Sequence, residues 1–245
     1  MTRYHRQVIF EPFGEQGQQR LAESRVLICG SGALGGSVAT ILARAGVGFV
    51  RLLDADTVSL GNLHRQFLFN ESDADLKLPK VIAAARTLQE ANSSVTIDPV
   101  CQRLTSENGC DLVADVDLLI DGTDNFPSRF LLNDLALTSG KPLVSGGVSG
   151  TSGQVLTVIP GQTPCLGCVF NPILVSADSN SGTAFPVLSP IVQVISAIQS
   201  MEAIKILSGN IGRVSRTMYT FDLWNNGFRQ FPLEQLFKEP CSRCR

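Results

Sequence analysis

Short apolar segments alternate with helical patterns in the first part of the chain. Residues 25–29 (RVLIC) are apolar and precede a glycine cluster, which is typical of a strand buried in a parallel sheet. Residues 49–53 (FVRLL) predict a second strand. Between the two strands, apolar residues occur at helical spacing: Val38, Ile41, Leu42 and Ala45. The predicted helix ends at Gly46. We therefore expect a strand–turn–helix–strand unit whose parallel strands are joined by a right-handed crossover.

The same alternation continues along the chain. We predict helices over 80–91, 129–138 and 191–207, and strands over 95–100, 117–121, 142–148, 154–159 and 217–223, the last strand. The third helix carries one apolar stripe, formed by Ile191, Val194, Ile195, Ile198, Met201 and Ile204. Segment 161–186 is rich in Pro, Ser, Asn and Gly, which predicts a long loop. The fold class is therefore α/β, with a Rossmann-like doubly wound mixed sheet that is parallel in the N-terminal half and antiparallel in the C-terminal half.

Composition and charge reduce the number of functional classes to which the chain can belong. The chain has 245 residues, of which 44% are hydrophobic, enough for one large globular domain. Its formal net charge of −2 argues against nucleic acid as a principal partner. The first ten residues, MTRYHRQVIF, do not resemble a signal peptide, and we expect no membrane span. These features predict a cytoplasmic protein whose thiols stay reduced or bind metal.

A glycine-rich turn follows the first predicted strand. Gly30, Gly32 and Gly35 occur in the order G-x-G-x-x-G between that strand and the next helix. In this context the glycines let the backbone approach a phosphate, and the helix N-terminus supplies unpaired N–H groups. Asp54 ends the second strand, where a carboxylate accepts hydrogen bonds from ribose hydroxyls. The pattern favours nucleotide binding over tight packing alone, but it does not separate NAD from ATP.

Polar and charged residues collect after the predicted strands and favour ATP. They are Asp56, Asn62, Arg65, Gln66, Lys80, Asp121, Asp124 and Asn125. An arginine offers a fork of donors that matches phosphate oxygens, and a carboxylate at the end of a parallel strand can hold Mg²⁺. Any one of these charges alone is more often a solvated surface group. Collected around one point of the sheet, they predict a triphosphate site.

The cysteines form two C-x-x-C pairs. Cys165 and Cys168 make the first pair, and Cys241 and Cys244 make the second. Each pair can supply two thiolates to a tetrahedral zinc ion, and a site closed by four thiolates is structural. A redox disulfide within a pair is the competing interpretation, although two pairs without a βαβ context favour metal. Of the remaining cysteines, Cys29 is predicted to be a small buried hydrophobic residue, and Cys101 and Cys110 have no evident partner.

Three motifs together resemble one family. They are D-x-D-x-V-x-x-x-N-L-x-R-Q from Asp54, D-G-T-D-N from Asp121, and R-Y-x-R-Q from Arg3. The chain is similar over almost its whole length to the ThiF/MoeB/HesA family of sulfur-carrier-protein adenylyltransferases, which resemble the adenylation half of ubiquitin-activating enzymes. The resemblance implies that ATP and the C-terminal Gly-Gly carboxylate of a small ubiquitin-like sulfur carrier react to give an acyl-adenylate and pyrophosphate.

The resemblance also implies catalytic roles for matching residues. Arg65 and Lys80, with Asn62, would neutralise charge on the phosphates as pyrophosphate leaves. Asp124 would bind Mg²⁺ and help to orient the α-phosphate. Arg6 would reach the ATP of a partner subunit, which implies a homodimer.

Nucleotide contacts are implied for further residues. Asp54 would hold the ribose, Gly32 would approach the phosphates and Gln66 would shape the pocket. The remaining expected nucleotide-binding residues are Gly30, Gly35, Asp56, Asp121 and Asn125. In this family a zinc-binding C-x-x-C pair also stands at each of the two locations, so the implied cofactors are Mg²⁺ and Zn²⁺.

The crossover loop ahead of the long helix departs from the family pattern. Many relatives carry a cysteine there, and alignment by eye places Ser181 at that position. A serine cannot form a disulfide and, without an activating base, is a far poorer nucleophile than a thiolate. We therefore expect the reaction to stop at the acyl-adenylate.

The whole chain, 1–245, is expected to be a single adenylation domain. It would comprise an N-terminal helical arm (1–24), a nucleotide-binding half (25–150) and a carrier-binding and zinc-binding half (151–245). Alternatives remain: an adenylating enzyme that acts on a peptide or a modified tRNA base, an NAD(P)-binding oxidoreductase, or a catalytically silent partner subunit. The sequence does not distinguish a thiamine-type from a molybdopterin-type carrier.

Overall fold

The computed structural model describes residues 3–170, 186–236, 241, 243 and 244. Within them, eight strands form one sheet: β1 (Arg25–Cys29), β2 (Phe49–Leu53), β3 (Thr96–Val100), β4 (Leu118–Asp121), β5 (Leu143–Ser149), β6 (Ser152–Val158), β7 (Thr217–Asp222) and β8 (Gly227–Pro232). The helices are α1 (His5–Val8), α2 (Gly14–Glu23), α3 (Ala33–Ala45), α4 (Glu71–Asp75), α5 (Lys80–Ala91), α6 (Gly109–Val113), α7 (Phe126–Ser139), α8 (Leu166–Val169), α9 (Ser189–Leu207) and α10 (Leu233–Leu236).

The strand order confirms the predicted mixed sheet. The strands lie in the order β3-β2-β1-β4-β5-β6-β7-β8. Strands β1 to β5 pair in parallel, and the pairs β5–β6, β6–β7 and β7–β8 are antiparallel. The chain runs outward from β1 to β3 and then returns to β4 on the other side of β1. Because ligands of open α/β sheets bind where the strand order reverses, the gap between β1 and β4 is the expected site.

Helices cover both faces of the parallel strands. Along β1, Val26 and Ile28 point into the core beneath α3, α5 and α9, whereas Leu27 and Cys29 point into the core beneath α7 and α8. All four side chains are almost fully buried. A strand buried on both faces is apolar at every position, which explains why RVLIC is a continuous hydrophobic run rather than an alternating one.

Helix α9 matches the predicted helix but buries a different face. Met201, which belongs to the predicted apolar stripe, is 52% exposed. The polar residues Ser196, Gln199 and Glu202 are buried instead. By length and composition alone α9 could cross a membrane, but half of it is buried inside the protein. It packs against α3, β5 and β6, as a core helix does.

The C-terminal part of the sheet contains one strand more than predicted. Predicted strand 217–223 corresponds to β7, but it is not the last strand, because the chain turns back to form β8. Four of the six residues of β8 are exposed and two are partly buried, so burial gives the strand only a weak hydrophobic signature. It pairs with β7 through backbone hydrogen bonds, and the ring of Phe228 packs against Tyr219 and Phe221 on β7. The helices α1 and α2 lie within the predicted N-terminal arm.

Candidate active site

A cavity of about 1200 Å³ opens at the carboxyl ends of the parallel strands. It brings together nine of the residues predicted from the sequence: Gly30, Gly32, Asp54, Asp56, Arg65, Gln66, Lys80, Asp124 and Asn125. The cavity does not end at the parallel strands. It continues over the antiparallel strands, where Gly153, Thr220 and Arg229 line it.

Two glycines of the turn after β1, Gly30 and Gly35, have a steric reason, whereas Gly32 leaves its backbone open to the cavity. Gly30 has a φ of +89°, and a Cβ there would lie 2.6 Å from the carbonyl oxygen of Gly122. A Cβ at Gly35 would lie 1.7 Å from the carbonyl oxygen of Gly30, so α3 can begin against the turn only with a glycine there. At Gly32 the nearest atom to a Cβ is Nε2 of Gln66, at 3.4 Å, and its backbone borders the cavity. Gly35 itself lies behind the lining and supports it.

Two aspartates follow β2 and differ in what they bind. Both oxygens of Asp54 accept backbone N–H groups, from Ser31 at 2.8 Å and from Asp56 at 2.8 Å. These bonds fix the carboxylate at the cavity wall. Asp56 pairs with cations instead: Nζ of Lys80 lies 3.0 Å from one oxygen, and Nη2 of Arg103 lies 3.5 Å from the other. The side chain of Lys80 is only 8% exposed, so its charge is held close to the cavity wall.

The segment after Asp56 places Arg65 and Gln66 at the cavity and Asn62 behind them. The side-chain oxygen of Asn62 accepts a hydrogen bond from Nη2 of Arg65, at 3.1 Å. The carbonyl oxygen of Gly61 accepts another from Nη1, at 3.2 Å. Asn62 therefore orients Arg65 and does not itself line the cavity. Gln66 is buried, and its Oε1 has no hydrogen-bond partner within the described residues.

Asp124 and Asn125 lie where α7 begins. The side chain of Asn125 caps α7 by accepting the N–H of Ser128 at 2.9 Å. Asp124 is exposed at the cavity, and its contact among the described residues is a long one of 3.4 Å from Nδ2 of Asn125. Its oxygens are thus open to a cation. This is the donor set that suits Mg²⁺, which uses one or two protein carboxylates together with phosphate and water.

Asp121 occupies a different place from the predicted nucleotide contact. It is fully buried, and its oxygens accept hydrogen bonds from Thr123 Oγ1 at 2.6 Å and Ser145 Oγ at 2.6 Å. Nε of Arg129 lies 2.9 Å from the same carboxylate, although its N–H is not aligned for a hydrogen bond. As the last residue of β4, Asp121 points into the protein rather than into the cavity. It braces the loop that carries Asp124.

Arg6 lies on the N-terminal arm, outside the residues that line the cavity. Its neighbours dock the arm onto the same chain. The hydroxyl of Tyr4 accepts a hydrogen bond from Asn92 at 2.8 Å, and Gln7 donates to the carbonyl oxygen of Ala45 at 3.0 Å. Arg6 remains exposed. Its role in the site of a partner subunit stays a prediction.

The four predicted cysteines form one cluster. The Sγ–Sγ distances are 3.6 Å for Cys165–Cys241, 3.5 Å for Cys168–Cys244, 3.7 Å for Cys241–Cys244 and 3.9 Å for Cys165–Cys168. Sulfur atoms around a tetrahedral zinc ion with Zn–S bonds of about 2.3 Å lie about 3.8 Å apart. The cluster therefore fits a zinc site. The distances are too long for disulfides, and all four thiols are free.

The cluster is tied to α7. The backbone N–H of Leu166 donates to Oδ1 of the buried Asn133 at 2.9 Å. Arg243, between the two C-terminal cysteines, forms an ion pair with Asp134. Burial raises the pKa of the Cys165 thiol, because a thiolate is poorly solvated there. Charged thiolates in this place therefore call for a cation beside them.

The other cysteines lie outside the four-cysteine cluster, and Cys29 borders the cavity. Burial raises the pKa of Cys29, and the nearby carboxylates of Asp121 and Asp54 raise it further, so its thiol stays neutral. This agrees with the prediction of a small buried hydrophobic residue. Cys101 and Cys110 are exposed. Ser181, at the position of the family cysteine, lies outside the described residues.

The sequence did not predict several residues that line the cavity. Gln102, Arg103 and Leu104 lie just past the end of β3, and Arg129 lies in the first turns of α7. The position of Arg103 at the carboxyl end of a parallel strand could have indicated it. Arg129 gives no such signal, because its contribution depends on how α7 packs against β4 and β5.

Comparison with solved structures supports the fold. The structure of E. coli MccB with MccA matches with a TM-score of 0.85 and 22% sequence identity, over 100% of this chain and 74% of that chain. At this identity the likeness concerns the fold alone.

Two curated relatives are closer in sequence. The sulfur carrier protein ThiS adenylyltransferase of Bacillus subtilis (strain 168) is 37% identical over 242 residues, which are 99% of this chain and 71% of that protein. The adenylyltransferase and sulfurtransferase MOCS3 of Culex quinquefasciatus is 40% identical over 245 residues, but this chain spans only 55% of its length. The ThiF family model matches residues 4–243. The chain therefore belongs to the ThiF family.

Proposed function

We propose that this protein uses ATP to adenylate the C-terminal Gly-Gly carboxylate of a ubiquitin-like sulfur-carrier protein of the thiamine or molybdopterin type. The observation that carries the proposal is the continuity of the cavity. One end holds the glycine turn, Asp54, Lys80 and Asp124, and the other runs over β6 to β8. A nucleotide and an extended peptide tail can meet in such a space. The names of the two relatives support the same chemistry.

The reaction requires alignment of the reactants and positive charge near the phosphates, and it does not require a protein nucleophile. A carboxylate oxygen of the carrier attacks the α-phosphorus of ATP and forms a C–O–P linkage. The bond from the α-phosphorus to the bridging oxygen breaks, and its electron pair leaves with pyrophosphate. No proton is transferred. Catalysis then depends on in-line alignment and on cations that neutralise charge on the phosphates.

The nucleotide end offers a group for each part of ATP. Asp54, held by two backbone N–H groups, would accept hydrogen bonds from the ribose. The glycine turn and the N-terminus of α3 would receive the phosphates. Arg65 and Lys80 would neutralise them. Because Lys80 pairs with Asp56, the phosphates would compete with that carboxylate for the ammonium group.

The metal ions have separate roles in the proposal. Asp124, exposed at the cavity, would hold Mg²⁺. The ion would supply positive charge that offsets the negative charge of the phosphates. The four cysteines would hold Zn²⁺ in a closed site without a position for water, so its role is structural. We further propose a homodimer in which Arg6 of each subunit serves the other. A cytoplasmic location remains a prediction.

ATP–pyrophosphate exchange tests the function. The protein is mixed with candidate carriers that end in Gly-Gly, and each carrier is paired with a version that lacks the final glycine. We expect exchange with an intact carrier and none with its shortened partner. An absence of exchange with every carrier, together with measurable binding of NAD, would overturn the proposal.

A further inference from the structure

Arg129 is a buried arginine at the junction of the two ends of the cavity. Its side chain is 8% exposed, yet the residue lines the cavity. It lies in α7 and reaches across to both β4 and β5. Nη2 donates to the carbonyl oxygen of Thr123 at 3.2 Å and to that of Gly146 at 2.9 Å. Nε lies against the buried carboxylate of Asp121.

The third nitrogen of the guanidinium is uncommitted. Within the described residues, Nη1 has no hydrogen-bond acceptor, whereas Nη2 donates two hydrogen bonds and Nε is held beside the carboxylate of Asp121 by charge, without an aligned hydrogen bond. A guanidinium with one free nitrogen has two N–H bonds left to offer. Its plane is fixed by the other contacts, so the free donors point in a defined direction. That is the condition for recognising an anion at one place.

Gly147 leaves room beside Nη1. A Cβ built at Gly147 would lie 3.1 Å from Nη1, 3.5 Å from Nη2 and 3.6 Å from Cζ, and these guanidinium atoms are its three nearest neighbours. Gly147 also lines the cavity. The missing side chain therefore exposes the guanidinium where the nucleotide end passes into the antiparallel end.

The proposed reaction requires a hydrogen-bond donor for the carboxylate of the carrier at the junction of the two ends of the cavity. A carboxylate must approach a triphosphate of the same charge sign. Arg65, Lys80 and Arg103 line the nucleotide end, where Lys80 and Arg103 pair with Asp56. Arg129 is the buried cation on the side of β5. Its pairing with Asp121 lowers its net charge, but the directed N–H donors of Nη1 remain.

We propose that Nη1 of Arg129 binds the carboxylate of the carrier before its attack on ATP. This inference rests on the proposed function and assigns a substrate-binding residue within it. Asp121 acts through Arg129, since it fixes the orientation of the guanidinium. The inference also explains why a fully buried ion pair lies directly beneath the cavity.

The test compares two carriers on the wild type, two variants at Arg129 and one control variant. One carrier ends in glycine and the other in glycinamide, and binding is measured by calorimetry in the presence of a non-hydrolysable ATP analogue. The variants are Arg129→Lys, which keeps the charge but has one nitrogen, and the double change Asp121→Asn with Arg129→Gln, which leaves no unpaired charge. Arg86→Lys is the control, because Arg86 also pairs with a buried aspartate, Asp73, but lies outside the cavity lining.

For the wild type and Arg86→Lys we expect glycinamide to weaken binding by about 10- to 100-fold, as for loss of a hydrogen bond to a charged group. For both Arg129 variants we expect the two carriers to bind within about 3-fold of each other. For Arg129→Lys, which keeps Asp121 and the loop that it braces, affinity for the ATP analogue alone should stay within about 3-fold of the wild type. A variant that folds and still discriminates like the wild type overturns the inference, as does an equal loss for both carriers. If no carrier supports exchange in the wild type, the proposed function fails first and this inference with it.

Discussion

Helix α7 borders two polar sites, one at its N-terminal end and one at its middle, that differ in how completely their groups are bonded. At its N-terminal end, the cavity leaves Oε1 of Gln66 and Nη1 of Arg129 without partners among the described residues. Farther along α7, the polar groups of the cysteine cluster have partners: each thiol lies within 3.9 Å of two others, and Arg243 pairs with Asp134. Polar atoms without partners can bind a ligand reversibly, as a substrate site requires. Four thiols close to one another can bind a structural ion permanently.

Loss of an exposed group at the open site should affect activity and leave stability unchanged, and we expect the largest effect at Asp124. We expect Asp124→Ala to lower the rate of adenylation by about 10²- to 10³-fold, because the cation that the phosphates need loses its protein ligand. The melting temperature should stay within about 2 °C, since an exposed side chain contributes little to stability. Exchange assays and thermal melts measure the two effects. Asp75→Ala, also an exposed aspartate, is the control, and full activity of Asp124→Ala would refute the metal role.

Disruption of the four-cysteine cluster, the closed site, should lower the stability of the protein. Removal of zinc with a chelator, or the change Cys168→Ser, should cost on the order of 3 kcal/mol, as expected for loss of a structural metal. At about 2–4 °C per kcal/mol for a chain of this size, the melting temperature should fall by roughly 6–12 °C. Metal analysis and melts check this, with the exposed Cys110→Ser as control. Equal melting temperatures for metal-free and metal-loaded protein would contradict a structural site.

Gln66 offers a smaller test in which activity and stability should change in opposite directions. Its buried Oε1 lacks a partner among the described residues, and such a group costs about 1–3 kcal/mol. We expect Gln66→Met to raise the free energy of unfolding by about 1 kcal/mol and to weaken ATP binding by about 5- to 10-fold. Gln199→Met is the contrast: its Oε1 also lacks a partner among the described residues, but its Nε2 donates to two buried carbonyl oxygens, of Asp121 and Val144. That variant should lose stability. Unchanged ATP affinity in Gln66→Met would show that its amide is not a ligand group.

The sequence predicts the open site well where position along a strand decides the outcome. Asp54 directly follows β2 and Asp124 lies three residues past the end of β4, and the carboxyl ends of such parallel strands meet at one edge of the sheet. Lys80, at the start of α5, reaches the same edge. The cysteine cluster was predictable for another reason, since two C-x-x-C pairs in one chain have few uses besides a shared metal.

The sequence is less informative where packing decides which way a side chain points. Asp121 and Asp124 stand three residues apart in one motif, yet one is buried against Arg129 and the other is exposed. On α9, apolar residues surround the helix, so periodicity alone does not show that Met201 faces outward and Gln199 inward. The strand β8 escapes prediction because four of its six residues are exposed, so the strand lacks the apolar run of a buried strand.

The smallest expected effect lies away from both sites, where the chain enters β1 and β4. Hydrogen bonds from Arg51 and then Arg25 hold the pKa of Asp115 below its usual value. Because a lowered carboxyl pKa stabilises the folded state only while the group is ionised, the benefit is present near neutral pH and is lost as pH falls through that lowered pKa. The carboxylate is 47% exposed, so we expect Asp115→Asn to cost only about 0.5–1 kcal/mol at pH 7. Urea titrations from pH 7 down to about 3 should show the gap to wild type shrinking. Asp75→Asn should show no gap at either pH, and a constant gap for Asp115→Asn would indicate that shape rather than charge matters there.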